Sequence, residues 1–337
     1  MMRHTLRPAL AATIILGLAT APLAAQPALE DIIISMPNFT FTSTPNLIAE
    51  ELGLWARHGL RVKIIQIAGV GATNAVIAGS ADFVQAGGST LTRAAARGQR
   101  LLAIANTAER NVVAITMRKE IAEAAGFDAK SPLEKRAQAL RGKTFGVGSI
   151  NANPHAYLLA VAARGGVKPD ELRVTALEGN AMWAAFQSKQ IDGYAMSLPW
   201  PQKAVQDGEA LLIASGPDGE PGDMIPFGHN LIVTKQETCE KRKTLCMAMG
   251  QSIKDATAFI KTKSDEAFAL LKKRFPTLDD KLLKASFVAL QKVTPSPPVV
   301  SRAIIENSEK FNVDAGLLKA DEALKSYDGL FTNEFVQ

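Results

Sequence analysis

The chain has 337 residues, with 38 Lys and Arg against 33 Asp and Glu, and a formal net charge of +5. The basic residues are interspersed with acids, as in Lys130, Glu134 and Lys135, which is typical of solvated helix faces and predicts no nucleic-acid partner. A chain of this length exceeds one typical hydrophobic core, so we expect two domains or lobes.

Residues 1–25 have the pattern of a cleavable secretory signal. Arg3 and Arg7 precede an apolar run at 9–19, and the small residues at 21–25 provide a cleavage site. The run has about 11 residues, which is too short to span a bilayer, since that takes roughly 20. Because the first cysteine is Cys239, we expect no lipid anchor and a protein released into a periplasm.

Short β-type runs then alternate with helical runs. The first series has predicted strands at 32–35, 61–67, 82–86, 101–106 and 112–117. After a polar, helical stretch at 120–140, a second series has predicted strands at 144–148, 174–177, 192–196 and 211–215. Repeated βα units predict mostly parallel sheets with helices on both faces.

The two series match at a constant offset of 110 residues, which predicts two similar lobes. Gly69 then aligns with Gly179, Ala75 with Ala185, Val76 with Phe186, and Asp82 with Asp192. A last strand at 230–234 precedes an all-helical tail, which we expect to return to the first lobe. The predicted lobes are therefore 26–118 with 229–337, and 119–228. Crossings near 117–120 and 227–230 are expected to form a hinge.

Signatures of enzymes and metal sites are missing from the chain. It has no GxSxG, HExxH, Walker loop or GxGxxG motif, and its histidines and cysteines lack metal-ligand spacing, so we expect no catalysis, cofactor or metal. The two cysteines, Cys239 and Cys246, would be about 10 Å apart on a continuous helix, beyond disulfide reach. A turn at 240–243 would let them pair, and the sequence leaves both arrangements open.

Loops at the carboxyl ends of the predicted strands are the places where open α/β sheets bind ligands. Several of them precede helices, whose first N–H groups suit an anionic group, and their aromatic side chains suit apolar walls. The candidate ligand-binding residues are Phe41, Thr42, Ser89, Thr90, Thr107, Ser149, Asn151, Asn153, His155, Asn180, Trp183 and Trp200.

Several of these candidates have a purely structural alternative. Ser89, Thr90 and Asn153 are residue types that cap helix N-termini. Trp183 fits a helix core as well as a pocket, and His155 fits a surface or capping position. The pairing of two lobes with facing polar and aromatic loops therefore carries the prediction of a ligand site, rather than any single residue.

Four segments carry a resemblance to a known family: 46–55 (NLIAEELGLW), 79–83 (GSADF), 140–147 (LRGKTFGV) and 190–194 (QIDGY). In order and spacing they resemble the periplasmic substrate-binding proteins of ABC importers in the nitrate/sulfonate/taurine group, which includes binders of thiamine-pyrimidine precursors. The resemblance implies a two-lobed, type II-like α/β fold. Each lobe would be a mixed, mostly parallel sheet flanked by helices, with a helical C-terminal extension.

The same resemblance implies a monomeric receptor that closes on a small-molecule ligand and delivers it to the permease of an ABC transporter in the inner membrane. We expect the ligand to be a small organic anion or an aromatic or heterocyclic compound. Sulfonate and taurine binders resemble each other in a segment that contains an acid. Leu198 stands at the position of that acid in this chain, which disfavours an amine such as taurine as the ligand. The alternatives are an exported enzyme with His155 or His229 as base, and a ligand sensor on the same fold.

Overall fold

The computed structural model describes residues 28–37, 39–177 and 179–337, so the predicted export signal lies outside the described residues. The strands within these ranges are β1 (Glu30–Met36), β2 (Leu60–Gln66), β3 (Phe83–Ala86), β4 (Leu101–Ala108), β5 (Val113–Arg118), β6 (Thr144–Val147), β7 (Arg173–Ala176), β8 (Gly193–Ser197), β9 (Ala210–Ser215) and β10 (Asn230–Lys235). The α-helices are α1 (Thr44–Glu51), α2 (Leu54–Arg57), α3 (Gly71–Ile77), α4 (Gly88–Ala96), α5 (Lys119–Ala124), α6 (Leu133–Gln138), α7 (Asn153–Arg164), α8 (Gly179–Gln187), α9 (Trp200–Gln206), α10 (Gln236–Lys241), α11 (Lys243–Thr262), α12 (Ser264–Arg274), α13 (Asp280–Val293) and α14 (Arg302–Asp314). None of these helices is long and apolar enough to cross a membrane.

The strands form two five-stranded sheets of the same type. Their orders are β2-β1-β3-β10-β4 and β7-β6-β8-β5-β9. In the first sheet β1 is parallel to β2 and β3, whereas β10 is antiparallel to β3 and β4. In the second sheet β6 is parallel to β7 and β8, whereas β5 is antiparallel to β8 and β9. The predicted class, a mixed and mostly parallel sheet in each lobe, is confirmed.

The antiparallel strand of each sheet is the one that enters from the other lobe. β4 ends in the first sheet and β5 begins in the second, while β9 ends in the second sheet and β10 begins in the first. Because each crossing joins facing edges of the two sheets, the entering strand runs away from the cleft, opposite to its neighbours. The two crossings lie side by side, since the N–H groups of Phe227 and His229 donate to the carbonyls of Glu109 and Ala108 at 2.8 and 3.0 Å.

The first crossing lies at 109–112, so the expected crossing near 117–120 and the lobe boundary after residue 118 are wrong. The strand register places Val113 opposite Ser197 and Met117 opposite Gly193, within the second sheet. The error arose because the sequence of a mostly apolar strand fits either sheet. Only its pairing with strands distant in the chain decides to which sheet it belongs. Whether the two crossings act as a hinge stays a prediction.

The repeat at an offset of 110 has a structural counterpart in an aspartate before β3 and before β8. The Asp82 carboxylate accepts a hydrogen bond from the Ile33 N–H at 2.9 Å, and the Asp82 N–H donates to the Ile33 carbonyl at 2.9 Å. Asp192 makes the same pair of bonds with Thr144, at 2.7 and 2.8 Å. The two lobes therefore fix the alignment of their central strands in the same way.

The helices after β10 pack mainly on the first lobe. Met249 of α11 is buried in the core beneath β1, as are several other residues of α11 and α12. The last helix, α14, is shared between the lobes. Its Ile304 and Ile305 belong to the core of the first lobe, whereas its Phe311 packs edge-on against Phe227 at 5.0 Å in the core of the second. The tail thus returns to the first lobe, and α14 also contacts the second.

Cys239 and Cys246 form a disulfide between α10 and α11, with their Cα atoms 5.5 Å apart. The helix is interrupted at Arg242, where φ is −128° and ψ is 58°. The Arg242 guanidinium pairs with Glu30 at 2.5 Å and with Asp82 at 2.9 Å. The interruption brings the cysteines within bonding distance and settles the alternative that the sequence left open.

Candidate functional site

A cavity of about 90 Å³ lies between the carboxyl edges of the two sheets, beside the second crossing. The first lobe contributes the ends of β1 and β3, the loop before α3 and the start of α4. The second lobe contributes the loop from β6 to α7 and the end of β8. The lining residues are Pro37, Thr42, Gly69, Val70, Ala72, Thr73, Gln85, Ala86, Gly87, Thr90, Gly148, Ser149, Ala152, Asn153, Pro154, Ser197, His229 and Asn230. Half of these described residues are polar and uncharged, and none of them is an Asp, Glu, Lys or Arg.

One helix of each lobe begins at the cavity without a capping side chain. The N-cap residues of α4 and α7 are Gly87 and Ala152, neither of which has a side-chain oxygen, and neither helix has an acid in its first turn. Within the described residues, the N–H groups of Asn153 and His155 have no hydrogen-bond acceptor. Helix N-termini carry unpaired donors and partial positive charge, so these two ends suit an anionic or strongly polar ligand group.

The capping alternative proposed for three candidates is wrong. Ser89 and Thr90 lie within the first turn of α4, after its N-cap, and Asn153 is the first residue of α7. Each helix therefore starts one or two residues earlier than its polar residues suggest. The consequence is that these side chains do not satisfy the first N–H groups of either helix.

His229 connects the second crossing to the second lobe at the cavity wall. Its Nδ1 lies 2.7 Å from Asn153 Nδ2, 3.4 Å from the Val112 backbone nitrogen and 3.2 Å from Asn111 Oδ1. Burial lowers the pKa of His229 to about 3, so the ring is neutral at physiological pH. With two donors facing Nδ1, the proton belongs on Nε2. The ring is therefore a neutral part of the cavity wall.

A layer of buried amides and hydroxyls supports the first-lobe wall. Asn46 Nδ2 donates to Gln85 Oε1 at 2.7 Å, and Asn230 Nδ2 donates to the Thr42 carbonyl at 3.1 Å. Thr107 Oγ1 donates to the Asn230 carbonyl at 3.2 Å. These bonds fix the orientation of the polar groups that face the cavity, which favours a defined rather than an adaptable site.

The lobes touch each other beside the cavity. Gly69 has a left-handed φ of +59°, and a Cβ there would lie only 2.7 Å from Ser149 Oγ. Arg93 Nη2 donates to the Asn151 carbonyl across the cleft at 2.8 Å, and the Asn151 N–H donates to His155 Nδ1 at 3.1 Å. Burial and the nearby Arg93 lower the pKa of His155. Asn151 and His155 thus contribute to interlobe contact and do not line the cavity.

Four of the candidate residues line the cavity: Thr42, Thr90, Ser149 and Asn153. Phe41 does not, because a 3₁₀ turn at Phe41–Ser43 directs its ring into the first-lobe core, where it stacks on Phe275 at 4.7 Å.

Ser89 and Thr107 are also buried behind the cavity wall. Ser89 lies beside α14, where its carbonyl accepts a hydrogen bond from Asn312 Nδ2 at 2.8 Å. Thr107 faces Asn230 in the amide layer. Both residues support the wall, so the strand-end rule that selected them identified the right region and the wrong side chains.

The remaining candidates belong to α8 and α9 and do not line this cavity. Asn180 is exposed in the first turn of α8. Trp183 packs on Phe186 at 6.0 Å, with the Lys203 ammonium 5.1 Å from its ring centre, and Trp200 packs on the same core. The expected aromatic walls are absent from the lining described above. A role for these three residues in ligand contact stays a prediction.

Sequence reasoning missed several lining residues, among them Gln85, Ser197 and His229. Gln85 had a usable signal, because an amide within the apolar run Phe83–Ala86 has to find polar partners or a cavity. The sequence placed His229 at the second crossing and Gly69 in a turn. It did not indicate that this crossing and this turn lie together at the cavity. That inference requires the two lobes to be placed together.

The sequence profile of the NMT1/THI5-like family matches residues 40–267, which is more than half of the chain. The chain belongs to the NMT1/THI5-like family. The match includes every strand of the two sheets except β1 and most of the cavity lining, and it confirms the resemblance found from the sequence. No curated protein sequence matches this member of the family.

Solved structures share the fold of this NMT1/THI5-like chain. A protein of Bordetella bronchiseptica RB50 is 21% identical, with a TM-score of 0.79 over 91% of this chain and 95% of its own. The alkanesulfonate-binding protein SsuA of Xanthomonas axonopodis pv. citri, solved with MOPS, is 17% identical, with a TM-score of 0.68 over 89% and 97%. The periplasmic nitrate-binding protein NrtA of Synechocystis PCC 6803 is 12% identical, with a TM-score of 0.63 over 92% and 88%. The two-lobed periplasmic binding protein fold is confirmed.

Proposed function

We propose that this protein is an exported solute-binding receptor of an ABC importer, which captures a small organic anion between its lobes and delivers it to a permease in the inner membrane. Membership of the NMT1/THI5-like family carries the proposal. The position of the cavity supports it, because a site built from both lobes beside two chain crossings can open and close around a solute. The receptor is proposed to act as a monomer in a periplasm.

The electrostatics of the cavity favour an anionic ligand. The N-terminus of α7 presents the free N–H groups of Asn153 and His155, and α4 begins on the opposite wall. Among the described residues that line the cavity there is no Asp or Glu to repel an anion. The lining hydroxyls add neutral donors, so the site can bind negative charge without a charged side chain.

The same geometry favours binding over catalysis. His229 is a poor general base, because burial lowers its pKa to about 3 and its Nδ1 is occupied by Asn153. His155 lies outside the cavity, where its Nδ1 accepts a hydrogen bond from the Asn151 N–H. The hydroxyls of Thr42, Thr90, Ser149 and Ser197 thus have no activating base in the lining.

The experiment begins with identification of the solute that co-purifies with the protein, by mass spectrometry of a denatured sample. The refolded, solute-free protein is then tested against sulfonates, carboxylates, aromatic acids, pyrimidines and inorganic anions. A true ligand raises the melting temperature by mass action and compacts the protein in solution X-ray scattering. Turnover of the bound compound would instead support an enzyme. No binding by any class of compound would refute the receptor function.

A further inference from the structure

A second cavity, of about 400 Å³, adjoins the first at the edge of the cleft. The two cavities share the side chains of Val70, Thr73 and Thr90. The second cavity extends along α4 and is lined there by Arg93 and by Arg97, which is the C-cap residue of this helix. A ligand in the first cavity therefore has a continuous path to two arginines.

These two arginines are not balanced by acids. Within the part of the chain that the structure describes, no Asp or Glu lines the second cavity, and neither Arg93 nor Arg97 forms an ion pair. They are four residues apart on one helix face, a spacing at which like charges repel. Burial, followed by the charge of Arg97, lowers the pKa of Arg93.

Arg93 retains unused hydrogen-bonding capacity although it is nearly buried. Arg93 is only 8% exposed. Within the described residues its side chain makes one hydrogen bond, from Nη2 to the Asn151 carbonyl at 2.8 Å. A guanidinium has five N–H donors in a planar fork that matches a carboxylate or phosphate. The donors that the Asn151 contact leaves over are therefore available to an anion in the second cavity.

We propose that the ligand carries a second anionic group, which binds to Arg93 and Arg97 in the second cavity. The inference rests on the proposed function, since it assigns the first anionic group to the first cavity. Thr90 lines both cavities and precedes Arg97 by seven residues, or roughly 10 Å along the helix at 1.5 Å per residue. The ligand class is therefore an elongated diacid, such as a dicarboxylate or a sulfonate with a distal carboxylate.

Calorimetric titration of the refolded, solute-free protein with matched ligand pairs tests this inference. The pairs are hexanoate and adipate, benzoate and terephthalate, and an alkanesulfonate with and without a terminal carboxylate. The variants are Arg97→Gln, which is exposed and makes no hydrogen bond within the described residues, and Arg93→Gln. Arg57→Gln, an exposed arginine of α2 outside both cavities, removes the same charge as a control.

We expect the diacid of at least one pair to bind the unaltered protein about tenfold more tightly than its monoacid, as for a charge-assisted contact. Arg97→Gln should abolish most of that preference and leave monoacid binding unchanged, whereas Arg57→Gln should leave both unchanged. The inference is overturned if monoacids bind and diacids bind no better, or if a diacid preference survives both arginine substitutions. If no acid of either kind binds, the anion-receptor proposal itself fails.

Discussion

Replacing Gly69 by Ala tests whether the contact between the lobes contributes to ligand capture. Gly69 has a φ of +59°, and the left-handed region costs a residue with a Cβ about 1–2 kcal/mol. That cost is present whether the lobes are together or apart, so it lowers the free energy of unfolding without changing affinity. The new Cβ would also lie 2.7 Å from Ser149 Oγ and 3.4 Å from Ser149 Cβ. This second contact exists only when the lobes meet.

The size of the interlobe effect follows from how far Ser149 can yield. Overfilling a tight contact costs about 1–3 kcal/mol. Because the Ser149 hydroxyl can rotate away and only its Cβ stays close, we expect about 1 kcal/mol, at the lower end of that range. Such a loss corresponds to a roughly fivefold weaker affinity for the captured solute.

Gly53→Ala is the matched control for this experiment. Gly53 has nearly the same φ, +61°, and a Cβ there would meet no atom within 4 Å. Urea unfolding should show a similar loss of stability in both variants, and calorimetry with the co-purifying solute should show weaker binding only in Gly69→Ala. Equal affinities in the two variants would refute the reasoning that the Gly69–Ser149 contact belongs to the ligand-bound form.

Three further outcomes follow from the structure. Reduction of the Cys239–Cys246 disulfide should lower the free energy of unfolding by about 2–3 kcal/mol, as expected for closure of a short loop, and leave solute affinity unchanged; a loss of affinity would show that α10 and α11 also shape the site. Burial lowers the pKa of His229 in the folded protein to about 3 from its ordinary value of 6.5, so the unfolded state binds the extra proton and stability falls by about 2 kcal/mol from pH 8 to pH 5. His229→Gln should flatten that part of the pH dependence, measured by urea unfolding, and an unchanged slope would contradict a buried neutral ring. Asn153→Ala should weaken solute binding by about tenfold, since a hydrogen bond at the cavity wall is lost; calorimetry showing unchanged affinity would place the solute away from the start of α7.

The scaffold was predictable because its signals are local. Each predicted strand is present within a residue or two, and α7 begins at Asn153-Pro154 as its sequence indicates. The assignment of β5 was not predictable, because Val113–Arg118 is mostly apolar and fits either sheet. Its pairing with β8 and β9 depends on contacts with strands that come much later in the chain.

The candidate site was only partly predictable, because it depends on side-chain direction and on how the lobes meet. The strand-end rule located the right loops, and Thr90 and Ser149 do line the cavity. It did not locate the Phe41 ring, which a 3₁₀ turn directs into the core. It also missed His229, whose role arises only when the second crossing meets Asn153 of the other lobe.

The internal repeat separates what the scaffold requires from what the site requires. Gly69 and Gly179 occupy equivalent positions and both have a left-handed φ, +59° and +52°. A Cβ at Gly179 would meet no atom within 4 Å, whereas a Cβ at Gly69 would meet the opposite lobe. Asn adopts left-handed φ readily, so Gly179→Asn should retain both stability and solute affinity. Gly69→Asn should retain stability and lose affinity, because only there does the added side chain lie between the lobes. Loss of affinity in both variants would show that the loop at Gly179 also contacts the solute.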